Sequence, residues 1–117
     1  MTNLRSLRNK IEEVTLFLED YKPELFCVTE TWLTKEDPNS LFIPRGFSAC
    51  RWDRETRGGG LAFIIRNDVT FKFVEIPVNF RHIEVVCVDI RLHTTHCRFI
   101  AYYRSGGFGT EALKYAI

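Results

Sequence analysis

Two short, uninterrupted apolar runs limit the folds that are open to this chain. Residues 25–28 read Leu-Phe-Cys-Val, and residues 61–65 read Leu-Ala-Phe-Ile-Ile between three glycines and a polar Arg-Asn-Asp segment. Apolar runs of this length, bounded by polar residues, are typical of strands that are covered on both faces. Such strands need a further layer on each side, so the sequence predicts a layered domain with a sheet inside it.

An amphipathic pattern precedes the first run. Its apolar residues recur at spacings of three and four, at Leu7, Ile11, Val14, Phe17, Leu18 and Tyr21. Charged residues fill the other positions, Ser6 is a candidate N-cap, and Pro23 ends the pattern. The sequence therefore predicts one long N-terminal helix of about four turns.

The rest of the chain reads as strands separated by turns. Strands are predicted over residues 47–52, 70–76, 83–91 and 98–103, with a hairpin at 92–96. A second helix is predicted to begin near Thr110 and to be cut short at Ile117, and Thr2 is expected to end a strand whose beginning is missing. One helix followed by mostly antiparallel strands predicts an α+β fold, truncated at both ends.

The composition fits a single small folded domain spanning residues 1–117. The chain is 45% hydrophobic and 26% charged, which argues against disorder, and its net charge of +1 does not by itself indicate a nucleic-acid partner. Four isolated cysteines are interpreted as reduced residues, three of them within apolar runs. Without a signal peptide or a transmembrane segment, we expect an intracellular protein, cytoplasmic or nuclear.

Two polar side chains lie where predicted strands end. Asn3 precedes the helix, and Glu30 follows the first apolar run. A carboxylate supplies the oxygen ligands that Mg²⁺ prefers, and an amide can donate to a phosphoryl oxygen. The pair is therefore suited to a metal ion and a phosphate. The alternatives are that Asn3 caps the turn into the helix and that Glu30 is a solvated carboxylate beside Lys35.

Four segments, taken in order, point to a known superfamily. They are Asn-Leu-Arg-Ser-Leu-Arg-Asn-Lys at 3–10, Lys-Pro-Glu-Leu-Phe-Cys-Val-Thr-Glu-Thr-Trp-Leu at 22–33, Arg-Gly-Gly-Gly-Leu-Ala-Phe at 57–63 and Phe-Ile-Ala-Tyr-Tyr-Arg at 99–104. Each is weak alone, but the ordered set covers nearly the whole chain. The chain resembles the endonuclease/exonuclease/phosphatase superfamily, most closely the apurinic-type endonuclease domain of non-LTR retrotransposons.

The resemblance implies a fold and a chemistry. The fold is a four-layer sandwich, with two β-sheets face to face and helices outside, and the chemistry is Mg²⁺-dependent phosphodiester hydrolysis. It places Asn3 and Glu30 at the metal and Tyr103 at the phosphate, which it supports through its hydroxyl. The alternative for Tyr103 is a sheet aromatic with a satisfied hydroxyl. An intact family member nicks DNA and leaves a 3′-hydroxyl that primes reverse transcription.

Three departures from the family pattern concern the second half of such a domain. Residues 104–107 read Arg-Ser-Gly-Gly where the family has a proline turn. The family also uses a Gly-Asp-x-Asn after a later strand and a Ser-Asp-His near the domain end, which orient the attacking water and support its general base. Neither motif occurs in this chain. We therefore expect half of the sandwich, inactive alone, with its partner sheet not encoded and an exposed sheet face open to self-association.

Three function classes remain open. The first is a fragment of a DNA-nicking, Mg²⁺-dependent endonuclease, with DNA as the substrate of the intact family member. The second is a non-enzymatic remnant or a weak nucleic-acid or protein interaction module. The third is another phosphoesterase of the superfamily, such as a phosphoinositide phosphatase. The amino-acid sequences at residues 5–10 and 29–33 argue against this third class.

Other motifs have structural interpretations. His93, His96 and Cys97 supply only part of a zinc site, so a polar hairpin turn is the better interpretation. Residues 58–60 lack the Lys and Ser/Thr of a P-loop and lead into a strand, so they are interpreted as a flexible loop. Four arginines could contact a DNA backbone or belong to a mixed solvated surface: Arg51, Arg54, Arg57 and Arg66.

Overall fold

The computed structural model describes residues 2–3, 7–54, 58–80 and 83–103. In this part of the chain the elements are β1 (Thr2–Asn3), α1 (Ile11–Tyr21), β2 (Leu25–Thr29), β3 (Phe47–Trp52), β4 (Leu61–Arg66), β5 (Thr70–Val74), β6 (Glu84–Leu92) and β7 (Thr95–Tyr103), with short 3₁₀ turns at Leu7–Lys10, Asn39–Leu41 and Val78–Phe80. The predicted α+β class is confirmed. Ser6 and the helix predicted near Thr110 lie outside the described residues.

The first sheet has the strand order β1-β2-β4-β3. β4 pairs antiparallel with both β2 and β3, and the two residues of β1 pair parallel with β2. Residues 61–65 of β4 are all buried, so this central strand is covered on both faces as its apolar run predicts. Two further layers must therefore cover this sheet.

The second sheet is a meander of β5, β6 and β7. β6 and β7 form a long antiparallel hairpin whose last pair is Leu92 with Thr95. The turn between them contains His93 at a φ of 58°, and both His93 and His96 are exposed. These positions agree with the predicted polar hairpin.

The two sheets pack face to face. One core cluster joins Cys50, Leu61, Phe63 and Ile65 of the first sheet with Val86, Val88, Ile90 and Ala101 of the second. The expectation that the partner sheet is not encoded by this chain is wrong, because β5–β7 provides it. The face that was expected to be exposed is covered, and the alternation of side chains in β6 explains why. Val86, Val88 and Ile90 point inward, whereas Asp89 and Arg91 point outward.

Helix α1 covers the other face of the first sheet. Val14 and Leu18 are buried there in a second cluster with Leu7, Val28 and Ile64. The α-helix has eleven residues and begins after a 3₁₀ turn, so it is shorter than predicted. Tyr21 is 75% exposed and does not belong to the buried stripe. The described chain thus forms three layers, helix, sheet and sheet, out of the four that the resemblance implies.

No helix among the described residues has both the length and the apolar character needed to cross a lipid bilayer.

Candidate functional site

Asn3 and Glu30 emerge at the same edge of the first sheet. β1 and β2 are parallel, with Asn3 opposite Thr29, and Glu30 is the next residue after β2. The chain after β1 returns to this edge, since the Leu7 N–H donates to the Thr31 carbonyl at 3.0 Å. The backbone of Asn3 therefore lies beside the strand end that carries Glu30; the Asn3 side chain lies outside the described residues.

Tyr103 connects this edge to the second sheet. Its hydroxyl donates to Oε1 of Glu30, which is 73 positions away in the sequence. Glu30 is only partly buried, and no other described residue donates to its second oxygen, Oε2. One carboxylate oxygen is thus held in place, while the other has no donor among the described residues.

The backbone at Glu30 has an unusual conformation. Glu30 and Trp32 have φ values of 56° and 58°, a region that non-glycine residues adopt at a cost. Their N–H groups donate to the carbonyls of Gly60 and Gly59, each at 2.9 Å. The β3–β4 connection therefore holds the segment that follows β2 in this conformation and so determines where the Glu30 side chain points.

Gly59 and Gly60 are structural parts of the site. Both are buried, which corrects the interpretation of residues 58–60 as a flexible loop. Gly60 has a φ of 94°, and a Cβ at this position would collide with Oγ1 of Thr31. The close approach of the two segments requires a residue without a side chain here.

Glu84 fixes the glycine turn from the second sheet. Its Oε1 accepts from the Gly60 N–H at 2.8 Å, and its Oε2 accepts from Nη2 of Arg54 at 2.5 Å. The Glu84 side chain is only 10% exposed. Because each oxygen accepts a hydrogen bond from the protein and the side chain is mostly buried, this carboxylate has a structural role.

Sequence reasoning missed Glu84, although a signal was present. Glu84 shares the inward face of β6 with Val86, Val88 and Ile90. A carboxylate on an otherwise apolar, buried face needs a partner, because burying an unpaired charge is costly. An isolated acidic residue in the inward register of a core strand therefore predicts a polar contact across the sandwich.

The electrostatics keep the Tyr103 hydroxyl protonated. Burial, the hydrogen bond to Glu30 and the negative charges of Glu30 and Glu84 raise the pKa of Tyr103 to about 12, against a smaller opposing effect of Arg54. The hydroxyl therefore remains a hydrogen-bond donor to Glu30 at neutral pH.

A pH titration should detect this environment. The difference in phenolate absorbance between the wild-type chain and Tyr103→Phe should show a midpoint near pH 12. Since the pKa is raised in the fold, the stabilisation is complete below the unfolded value of about 10 and is lost as the pH rises towards 12. Glu30→Gln should move the midpoint downwards. A midpoint at the ordinary tyrosine value would contradict the contact with Glu30.

Other candidate groups have partners within the chain. Arg51 pairs with Asp53, Arg54 with Glu84 and Arg66 with Asp68, which supports the mixed-surface interpretation of these arginines; Arg57 lies outside the described residues.

Residues 37–39 read Asp-Pro-Asn and so have the Asp-x-Asn spacing of the family, but they lie in the loop after Glu30. The Asp37 carboxylate accepts from the Thr34 N–H at 2.9 Å, and the Asn39 side-chain oxygen accepts from Arg51. These contacts tie the two side chains to the loop and to Arg51.

Metal binding at this site would depend on few protein ligands. Across residues 2–3, 7–54, 58–80 and 83–103, no three His, Cys, Asp or Glu side chains are grouped so that they could hold a metal ion. Within this part of the chain, an ion at Glu30 would thus have at most one further ligand of these residue types, and Mg²⁺ held there would keep most of its water.

No protein-family model matches the chain, and no curated protein matches it.

Proposed function

We propose that this chain carries the metal- and phosphate-binding part of a Mg²⁺-dependent phosphodiester hydrolase, of the kind that nicks DNA. The observation that supports the proposal most is the hydrogen bond from Tyr103 to Glu30. It joins two residues that the resemblance assigns to one site, although they are far apart in sequence and belong to different sheets.

The donor set is compatible with a hard cation. Glu30 offers one available carboxylate oxygen on a half-buried side chain, and the Asn3 backbone lies at the same strand edge. Glu30 and Asn3 would hold the ion. The Tyr103 hydroxyl has a single proton, so it would orient Glu30 in the free chain and donate to the phosphate in its place once substrate is bound. When bound, Mg²⁺ would polarise a phosphoryl oxygen and shield the charge that develops on it.

We further propose that the chain does not hydrolyse DNA by itself. Its 117 residues contain neither Gly-Asp-x-Asn nor Ser-Asp-His. The chain therefore supplies groups that bind the metal and the phosphate, but no base for the attacking water. Binding without turnover is the expected behaviour, because general-base catalysis needs a group within hydrogen-bond reach of that water.

Mn²⁺ can test the proposal with the chain as it is. In a ¹⁵N-labelled sample, substoichiometric Mn²⁺ should broaden the amide signals of residues 29–32 and 103 before those of β5. Glu30→Gln should weaken the apparent affinity about tenfold or more, because it removes the charged ligand. Asp89→Asn is the matched control, since it removes a carboxylate that is paired with Arg98 on the outer side of the second sheet. Equal broadening in the wild-type chain and in Glu30→Gln would rule out this metal site.

A further inference from the structure

A largely buried carboxylate in the second sheet, Glu84, contacts the turn that is hydrogen-bonded to the segment carrying Glu30. We infer that Glu84 is a positioning residue: by holding the Gly59-Gly60 turn, it sets the backbone of Glu30 and Trp32. The inference deepens the proposed function and rests on it for its consequence in metal binding. Its structural part stands on the contacts around Glu84 alone.

The first step concerns what Glu84 contacts. One oxygen accepts from the Gly60 N–H and the other from Arg54, so Glu84 on β6 fastens both ends of the β3–β4 connection. The ion pair is largely shielded from water, with side-chain exposures of 28% for Arg54 and 10% for Glu84. A charge-assisted hydrogen bond in such surroundings is stronger than an exposed one.

The second step leads from the turn to Glu30. Gly60 gives its N–H to Glu84, and its carbonyl accepts from the Glu30 N–H at 2.9 Å. The Gly59 carbonyl accepts from the Trp32 N–H at the same distance. One peptide segment therefore lies between the buried carboxylate and the two residues with positive φ. If Glu84 is removed, the Gly59-Gly60 segment loses its hydrogen bond to the second sheet. The hydrogen bonds that hold Glu30 and Trp32 at positive φ are then weakened.

The third step distinguishes positioning from ligation. Both Glu84 oxygens accept donors from the protein, whereas Glu30 has an oxygen without a donor among the described residues. Glu84 thus acts on the site through Gly60 and the backbone. Its removal should change the local conformation at Glu30 while leaving the Glu30 carboxylate chemically intact.

Amide hydrogen exchange on the whole 117-residue chain tests the inference. Glu84→Ala should speed exchange of the Glu30 and Trp32 amides about tenfold or more, since each loses the support of a hydrogen-bonded turn. Amides in the middle of β4 should keep their protection. Asp89→Ala is the matched control, because it removes another arginine-paired carboxylate from the same strand without contacting the turn. Unchanged protection at Glu30 and Trp32 in Glu84→Ala would overturn the inference.

Two further variants decide the outcome if Glu84→Ala does not fold. Glu84→Gln keeps an oxygen for the Gly60 N–H and should restore most of the protection. Gly60→Ala disturbs the turn independently of Glu84, because the added Cβ collides with Thr31. It should speed hydrogen exchange of the Glu30 and Trp32 amides. Its control is Gly46→Ala, which has a similar φ of 96° but open space around it. Faster exchange of these two amides in both Gly60→Ala and Gly46→Ala, or in neither variant, would contradict the role of the turn.

Mn²⁺ binding separates failure of this inference from failure of the proposed function. If Mn²⁺ binds the wild-type chain, Glu84→Ala should weaken it about tenfold, and Glu84→Gln should rescue it in part. Undiminished Mn²⁺ binding by a folded Glu84→Ala would overturn the positioning role at the metal. If the wild-type chain does not bind Mn²⁺, the proposed function fails, and hydrogen exchange still decides whether Glu84 sets the conformation at Glu30.

Discussion

Replacing Phe63 with Ala is expected to lower the free energy of unfolding by about 3–5 kcal/mol. Phe63 is 3% exposed and lies in the cluster between the two sheets. Its removal takes away apolar contacts and leaves a cavity that surrounding strands can fill only in part. A folded domain has about 5–15 kcal/mol of total stability, so this loss would remove a large fraction of it.

Urea denaturation followed by circular dichroism measures this loss, and Phe73→Ala is its matched control. Phe73 belongs to β5 and is 50% exposed, so its truncation should cost about 1 kcal/mol or less. The comparison also tests the architecture, because Phe63 is deeply buried only if β5–β7 covers the first sheet. Equal losses for the two variants would show that this sheet face is open.

Glu30→Gln should lower DNA nicking by on the order of a hundredfold or more in a longer protein that also supplies Gly-Asp-x-Asn and Ser-Asp-His motifs. The substitution removes the negative charge of the proposed metal ligand but keeps the size and an oxygen for the Tyr103 hydroxyl. Stability should change by about 1 kcal/mol or less, because Glu30 is partly exposed and belongs to neither core cluster.

Plasmid relaxation with and without Mg²⁺ is the measurement, and Asp89→Asn again provides a carboxylate control that should nick normally. Thermal unfolding of both variants shows whether the fold survives. If Glu30→Gln unfolds the domain while the molecules that remain folded nick at the wild-type rate, then Glu30 is a structural residue and the assignment of the metal site is wrong.

The strands were predictable because local patterns determine them. The apolar run at residues 61–65 indicated a doubly covered strand, and the bounds predicted for residues 47–52 are those of β3. The polar residues around His93 indicated the hairpin between β6 and β7. These signals act over a few residues, which is the range over which side-chain alternation and turn chemistry can be recognised.

The packing of one sheet on the other was not predictable in the same way. The strands of the second sheet were predicted, but no local sequence pattern indicates that Val86 and Val88 pack in one cluster with Phe63. Treating β6 as apolar on both sides led to the wrong expectation of a missing partner sheet. Its outward positions include Asp89 and Arg91, so only the part of β6 around the buried Cys87 is covered on both faces.

The candidate site shows the same division. Asn3, Glu30 and Tyr103 were identified from sequence motifs. In the structure Glu30 and Tyr103 contact each other, and the Asn3 backbone lies at the same end of the first sheet. Glu84 and the buried glycines were missed, because their role depends on contacts between the two sheets. Three successive glycines suggest flexibility in a sequence, whereas here two of them serve close packing and positive φ values.

The contact between Glu30 and Tyr103 also has a consequence for folding order. The β6–β7 hairpin can form locally, but this contact joins residues 73 positions apart and requires the first sheet to be docked on the second. Contacts of such long range form slowly, after much loop entropy has been lost. The site should therefore be among the last parts of the chain to assemble. A ligand that requires Glu30 and Tyr103 together would, by mass action, favour the docked sandwich over partly folded states.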